Sequence, residues 1–63
     1  MPKVNEVYRN VSTGRIFYVE DILQTRNEVR TCTLASGLRT TIRLDRLTDR
    51  KRYKKIKDNY RWL

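Results

Sequence analysis

The stretch from residue 14 to residue 24 constrains the fold most, because it is the longest apolar, β-branched and aromatic run in the chain. A glycine suited to a turn opens it, and the composition that follows is typical of a β-strand. A pleated strand would place apolar side chains on both of its faces: Ile16, Tyr18 and Ile22 on one, and Phe17, Val19 and Leu23 on the other. We therefore predict a long, bent central strand in a small β-barrel.

Length and cysteine content restrict the class of protein further. The chain has 63 residues, of which 38% are hydrophobic, so we expect a single domain over residues 1–63 with a small core. Its one cysteine, Cys32, excludes an intramolecular disulfide and fits a reducing compartment. The N-terminal residues lack the apolar core of a signal peptide, and no run reaches the roughly 18 apolar residues of a membrane span. We expect a soluble, cytoplasmic protein with no membrane partner.

Turn-forming residues divide the first two thirds of the chain into strands. We predict strands at 4–11, 15–24, 28–34 and 38–44, separated by turns at 12–14, 25–27 and 35–37. A three-residue loop at 35–37 would pair Leu34 with Leu38, Cys32 with Thr40 and Arg30 with Ile42. This register predicts a core face of Cys32, Leu34, Leu38, Thr40, Ile42 and Leu44. It predicts an outward face of Thr31, Thr33, Arg39, Thr41 and Arg43.

After Leu44 the alternation of polar and apolar residues stops. Residues 45–49 are typical of a single helical turn that places Leu47 under the sheet. Two structures compete for the segment that follows. Four residues have the spacing of an amphipathic helix: Tyr53, Ile56, Tyr60 and Leu63. The aromatic and β-branched content of residues 53–57 instead favours a last strand that closes the barrel, and we favour this strand.

The order of these elements resembles that of an SH3-like small barrel, with a one-turn helix before the last strand. The opening, Val-Asn-Glu-Val-Tyr-Arg at 4–9 and Thr-Gly-Arg-Ile-Phe-Tyr-Val-Glu-Asp-Ile at 13–22, resembles short phage and prophage proteins of uncharacterised function that share this barrel. The resemblance extends over residues 4–57. It implies a phage or mobile-element accessory protein in a bacterial cytoplasm, and it supplies no catalytic residues.

Positive charge is concentrated at the C-terminus. The chain carries 15 Lys and Arg against seven Asp and Glu, and residues 46–63 hold eight of the basic but only two of the acidic side chains. Residues 50–57 contain six cations and no acid: Arg50, Lys51, Arg52, Lys54, Lys55 and Lys57. Such flexible cationic groups can follow a phosphate backbone, so we predict that the basic segment 50–63 binds nucleic acid. A solvated face that keeps a small protein soluble is the alternative.

Further residues extend the predicted site. Tyr60 and Trp62 flank Arg61, and aromatic rings beside cations can stack on unpaired bases, although the same rings could pack against the barrel. Arg39 and Arg43 belong to the predicted outward face, where they could contact phosphates or read bases.

The sequence lacks the arrangements that are typical of enzymes. It has no histidine, no Gly-rich phosphate loop and no metal-ligand spacing. Glu20 and Asp21 would point to opposite faces of a strand, so they could not act together as an acid/base pair, and one or the other is expected to pair with a basic side chain across the sheet. Cys32 is expected in the core, where a thiol is unreactive. We expect no catalysis, no cofactor, no metal and no small-molecule substrate.

These observations favour a small basic accessory protein that binds DNA or RNA mainly through phosphate contacts. A first alternative is a phage-encoded adaptor or inhibitor that docks on a host protein with the same barrel and charges. A second is an excisionase-like recombination directionality factor, which would need a recognition helix and a wing.

Overall fold

The computed structural model describes residues 1–62, with the backbone alone at Trp62. These residues form five strands: β1 (Val7–Asn10), β2 (Ile16–Leu23), β3 (Glu28–Thr33), β4 (Arg39–Arg43) and β5 (Tyr53–Lys57). A helical turn, α1 (Leu44–Leu47), connects β4 to β5, and 3₁₀ turns lie at Gln24–Arg26 and Tyr60–Trp62. The prediction of a mainly β fold with a one-turn helix before the last strand is confirmed.

The strands form one antiparallel sheet in the order β4-β3-β2-β1-β5. The long central strand, β2, pairs with β1 through its first residues and with β3 along nearly its whole length. The elements follow one another along the chain as the sequence predicts, whereas closure of the sheet into a barrel is not observed in residues 1–62. Within residues 1–62 the sheet is open, because β4 and β5 are its two edges and do not pair with each other.

Asparagine and glycine set the turns, as their conformational range allows. Asn5 and Asn27 adopt the left-handed region with φ values of 77° and 53°, which is accessible to Asn at lower cost than to most residues. Gly14 has φ 77°, and its N–H donates to the Asn10 carbonyl across the β1–β2 turn at 2.7 Å. Asn5 therefore turns the chain just before β1, which begins at Val7 and not at residue 4 as predicted.

The hydrophobic core lies on one face of the sheet, which we call the core face. Its buried members are Tyr8, Phe17, Val19, Val29 and Leu47, and Ile22, Ile42, Leu44 and Tyr53 pack against them. Phe17 is in a stacked arrangement with Tyr8 and an edge-to-face arrangement with Tyr53, with ring centroids 6.1 Å and 5.6 Å apart. Leu47 is 1% exposed, so α1 does place this side chain under the sheet as predicted.

A β-bulge in β2 changes the predicted faces of that strand. Val19 pairs with Thr31 and Asp21 with Arg30, so Glu20 is an extra residue without a partner on β3. The extra residue moves Ile22 onto the core face with Phe17 and Val19. It also moves Leu23 to the opposite face, which we call the outer face. The prediction that Ile22 shares a face with Ile16 and Tyr18 is therefore wrong.

The β3–β4 hairpin is also shifted by one residue from its predicted register. Thr33 N–H donates to the Leu38 carbonyl, and the pairs are Cys32 with Arg39, Thr31 with Thr40 and Val29 with Ile42. The loop thus has four residues, 34–37. Because one residue of shift exchanges the faces of one strand relative to the other, Thr31 and Thr33 face the core and Cys32 the outer face.

The shift has two further consequences for the predicted core. Leu34 and Leu38 are exposed at 38% and 55% instead of packing inside. On β4 the predicted faces are right, because Thr40 and Ile42 share the core face while Arg39, Thr41 and Arg43 share the outer one. Cys32 is buried as predicted, although on the outer face, beside Tyr18 and Arg39.

The C-terminal segment adopts the strand that we favoured. Tyr53 pairs with Asn10 and contributes to the core, whereas Ile56 is 40% exposed, so the helical stripe of apolar residues is not formed. A register irregularity between Val7 and Tyr8 adds one residue to β5 at Ile56. Leu63, the last residue of that predicted stripe, lies outside the described residues.

Candidate nucleic-acid interface

The basic segment begins with a tight turn that Asp49 organises. Its carbonyl accepts from the N–H groups of Arg52 and Tyr53, and its carboxylate accepts from the N–H of Lys51 at 3.0 Å. Aspartate is well suited to such a turn, because its short side chain can bond the backbone two residues on. The turn leaves the side chains of Arg50 and Lys51 exposed at the start of β5.

β5 then presents its cations beside β1. Lys54 lies directly opposite Arg9, Lys55 opposite Tyr8 and Lys57 opposite Val7. Antiparallel partners point to the same side of a sheet. Lys54 and Arg9 therefore share the outer face, and Lys55 lies on the core face, where Glu6 is within reach.

Some of these cations already have carboxylate partners. Lys55 Nζ lies 3.0 Å from Asp58 Oδ1 and 3.3 Å from Glu6 Oε2, and hydrogen bonds to these two carboxylates raise the pKa of the Lys55 ammonium. Arg52 Nε lies 3.4 Å from Asp49 Oδ2. Each of these groups would exchange an internal partner for a phosphate, so their contribution to binding is reduced.

Four exposed cations in this region have no carboxylate within ion-pair distance among residues 1–62: Arg9, Arg50, Lys51 and Lys54. We call this group the cationic edge. It combines three residues that the sequence predicted with Arg9, which it missed. Arg9 is far from the basic segment in sequence, and only the β1–β5 pairing brings it there.

The predicted arginines of β4 lie at the opposite edge of the sheet and are both paired. Arg39 Nε donates to both oxygens of Glu20 at 3.0 Å and 3.1 Å, and this bonding raises the pKa of the guanidinium. Arg43 forms a two-bond contact with Asp45, which lowers the pKa of that carboxyl group. The expected pairing of Glu20 with a basic side chain is confirmed. The structure thus separates Arg39 and Arg43 from the cationic edge in strand order.

The C-terminal 3₁₀ turn lies over the outer face. Tyr60 N–H donates to the Asn5 carbonyl, and its ring stacks on Tyr18 with centroids 4.0 Å apart. The Arg61 guanidinium carbon lies 6.0 Å from the centre of the Tyr60 ring. Tyr60 therefore already has an aromatic partner, as its packing alternative predicted. The Trp62 side chain, also predicted in the site, lies outside the described residues.

A groove of about 580 Å³ runs along the core-face side of β5. Its walls come from the N-terminal segment, the turn after α1 and the two adjacent strands: Met1, Pro2, Glu6, Tyr8, Leu47, Thr48, Arg50, Tyr53, Lys54 and Lys55. Glu6 is 6% exposed, and its carboxylate accepts from the Lys3 N–H at 2.8 Å and the Tyr8 hydroxyl at 3.0 Å. The groove was not predictable from the sequence, because it depends on the β1–β5 register.

Comparison with known proteins does not indicate a family or a function for this chain. No protein-family model, curated protein or solved structure matches the chain. In residues 1–62, no helix has the length and apolar content to cross a membrane. The same residues contain no group of three His, Cys, Asp or Glu side chains that could hold a metal ion.

Proposed function

We propose that this protein binds nucleic acid through backbone phosphates along the cationic edge, and that it acts by binding alone. The observation that carries the proposal is the direct opposition of Arg9 and Lys54 on adjacent strands. Like charges facing each other across a ladder destabilise a sheet. No carboxylate among residues 1–62 lies within ion-pair distance of either side chain. A polyanion laid along this edge would relieve the repulsion.

The residues around this pair are better placed to contact phosphates than to recognise a particular base sequence. Arg50 and Lys51 extend the charge from the Arg9–Lys54 pair into the turn before β5. Arg39 and Arg43, the residues best suited to bidentate contacts with guanine, are engaged by Glu20 and Asp45. Phosphate contacts carry no sequence information by themselves, so we propose binding with little sequence preference.

The salt dependence of binding tests the proposal. If the four residues of the cationic edge neutralise four phosphates, the logarithm of the association constant should fall with the logarithm of salt concentration with a slope of about −4 on duplex DNA. On single strands the slope should be about −3. The K51A/K54A double variant should flatten the slope by about two on duplex DNA and by about 1.4 on single strands, and it should weaken binding to unrelated sequences equally.

A charge-matched control separates local contacts from the effect of net charge. The R26A/R46A double variant also removes two exposed cations, from the 3₁₀ turn after β2 and from α1. We expect it to keep the wild-type slope. Absence of binding at low salt, or equal slopes for K51A/K54A and wild type, would contradict the proposal.

An adaptor that docks on a protein partner is the second candidate, and the open edge of β4 favours it. On one side β4 pairs with β3, and on the other no strand pairs with it within residues 1–62. An extended segment of a partner could add there as a further strand. We retain the phage-type, cytoplasmic setting as a proposal for both candidates. The excisionase-like alternative would need a recognition helix, and α1, which spans four residues, is too short to serve as one.

A further inference from the structure

We infer that the groove beside β5 accepts one unstacked base of a single-stranded nucleic acid while the adjacent phosphates lie on the cationic edge. This inference rests on the proposed function and adds a substrate class to it. The groove and the cationic edge adjoin at Arg50, which lines the groove and belongs to the cationic edge. Lys54, whose side chain lies on the outer face, borders the groove from the same edge strand. A strand whose phosphates contact Arg50 and follow this edge would have a base at the mouth of the groove.

The size and lining of the groove suit such an occupant. Its volume of about 580 Å³ falls within the range of roughly 300–1,000 Å³ that is usual for small-ligand sites. Tyr8, Leu47 and Tyr53 supply an apolar and aromatic wall, and contacts of bases with aromatic side chains strengthen binding by at least about fivefold per base. An apolar wall with cations at the rim matches a nucleotide, which has a flat base and a charged phosphate.

The buried carboxylate of Glu6 decides which part of the nucleotide enters. Both of its oxygens accept hydrogen bonds within the protein, from Lys3, Tyr8 and Lys55. A carboxylate can still accept further donors, whereas it repels a phosphate or another carboxylate. A neutral base edge with N–H donors is therefore favoured inside the groove, and the phosphate is favoured on the rim.

The base must be free of its complement. In a duplex the bases are stacked and paired, and extruding one costs a few kcal/mol. Single strands expose bases at little cost, and proteins that bind them commonly combine a positive track with aromatic contacts. The arrangement of groove and cationic edge corresponds to this combination, so we assign single-stranded DNA or RNA as the favoured form.

Removal of the bases from the ligand provides the test. Wild-type protein is titrated with a single-stranded oligonucleotide and with a base-free oligonucleotide of the same length, so that both present the same phosphates. We expect the base-free strand to bind at least about fivefold more weakly. Leu47 methyl resonances, which report on the groove wall, should shift with the base-bearing strand and not with the base-free strand. Equal affinities, or no change at Leu47, would overturn the inference.

A blocking variant with a matched control locates the effect. Thr48 is an exposed residue of the groove wall, and T48W should fill the mouth without changing charge. We expect T48W to bind the base-bearing strand as weakly as wild type binds the base-free one. Thr41 is an exposed residue of the outer face on β4, outside the groove lining, and T41W should behave as wild type. If T48W retained the wild-type preference for bases, the groove would not be the site.

The experiments distinguish failure of the proposed nucleic-acid binding from failure of the base-binding groove. If neither oligonucleotide binds at low salt, the proposed nucleic-acid function is wrong. If both bind equally and with the salt slope given above, phosphate binding stands and the base-binding groove is wrong. The comparison of the two oligonucleotides uses wild-type protein, so it decides the inference even if T48W does not fold.

Discussion

Tyr8 connects the core to the one buried carboxylate among the described residues. Its ring is stacked with Phe17, and its hydroxyl donates to Glu6 Oε1 at 3.0 Å. Burial, together with the hydrogen bond and the negative charge of Glu6, raises the pKa of Tyr8 well above its ordinary value of about 10. The folded protein therefore holds this proton at a pH where the unfolded chain has released it.

This difference predicts a loss of stability at alkaline pH. The contribution of Tyr8 is complete below pH of about 10 and falls as pH rises above it, by at most about 1.4 kcal/mol per pH unit. Urea unfolding of wild type at pH 9 and pH 11, chosen to lie about one unit on each side of that value, should show the loss. The Y8F variant should lose less over the same interval.

Y8F should not be entirely insensitive to pH, because the folded state also raises the pKa values of Lys55 and Tyr18. For Lys55 the cause is hydrogen bonding to Asp58 and Glu6, and for Tyr18 it is first hydrogen bonding to the Cys32 thiol. Both groups shift stability in the same direction as Tyr8 when pH rises. An equal loss in Y8F and wild type would show that the Tyr8 hydroxyl does not contribute.

At the scale of the strands, the β1–β5 ladder brings two cations together at a cost. Replacement of Lys54 by Glu converts the like-charged pair with Arg9 into an opposite-charged one. We expect K54E to raise the free energy of unfolding by about 0.2–1 kcal/mol, measured by urea denaturation at low salt. The same variant should bind nucleic acid more weakly, with a salt slope flatter by at least about one.

A second charge reversal controls for net charge. Lys51 lies in the turn before β5 and has no cross-strand partner. K51E should therefore weaken binding in the same way without the gain in stability. If K54E and K51E had the same free energy of unfolding, the repulsion between Arg9 and Lys54 would make no measurable contribution to stability.

The elements were predictable from the sequence, whereas the faces of the strands were predictable only in part. Turn residues and β-branched runs are local signals, so four strands, α1 and β5 were placed correctly. The hairpin register depends on one residue of loop length, and Leu34 and Leu38 suggested the wrong loop. Arg30 carried the contrary signal, because it would have shared the core face with Cys32 and arginine is almost never fully buried unless it is paired. No residue in the sequence indicated the bulge at Glu20 in a comparable way.

The candidate nucleic-acid interface was also predictable only in part. Arg50, Lys51 and Lys54 were predictable because consecutive cations are visible in a sequence. Their relation to Arg9 and to the groove was not, because it arises from the pairing of strands that are more than 40 residues apart in the chain. Two of the ion pairs have the same non-local origin, so the sequence could not show that Arg39 is engaged by Glu20 and Lys55 by Glu6.

At the scale of the whole molecule, the small core and the high net charge both limit the free energy of unfolding. The Cα radius of gyration is 10.5 Å, close to the about 10.6 Å expected for a compact chain of this length. A domain of this size nevertheless has only a modest free energy of unfolding, and its net charge of +8 opposes compaction. A polyanion that binds the folded state should therefore change the melting temperature strongly.

We predict that a single-stranded oligonucleotide at about 100 times its dissociation constant stabilises the protein by about 2.7 kcal/mol, which corresponds to roughly 10–20 °C in melting temperature. The shift should be measured by circular dichroism at about 50 mM salt and should nearly vanish at the same ligand concentration at high salt, because affinity falls steeply there. At equal ligand concentration K51A/K54A should shift less than R26A/R46A. A shift of the same size at both salt concentrations would mean that the stabilising contacts are not with phosphates, and the cationic edge would then lose its role.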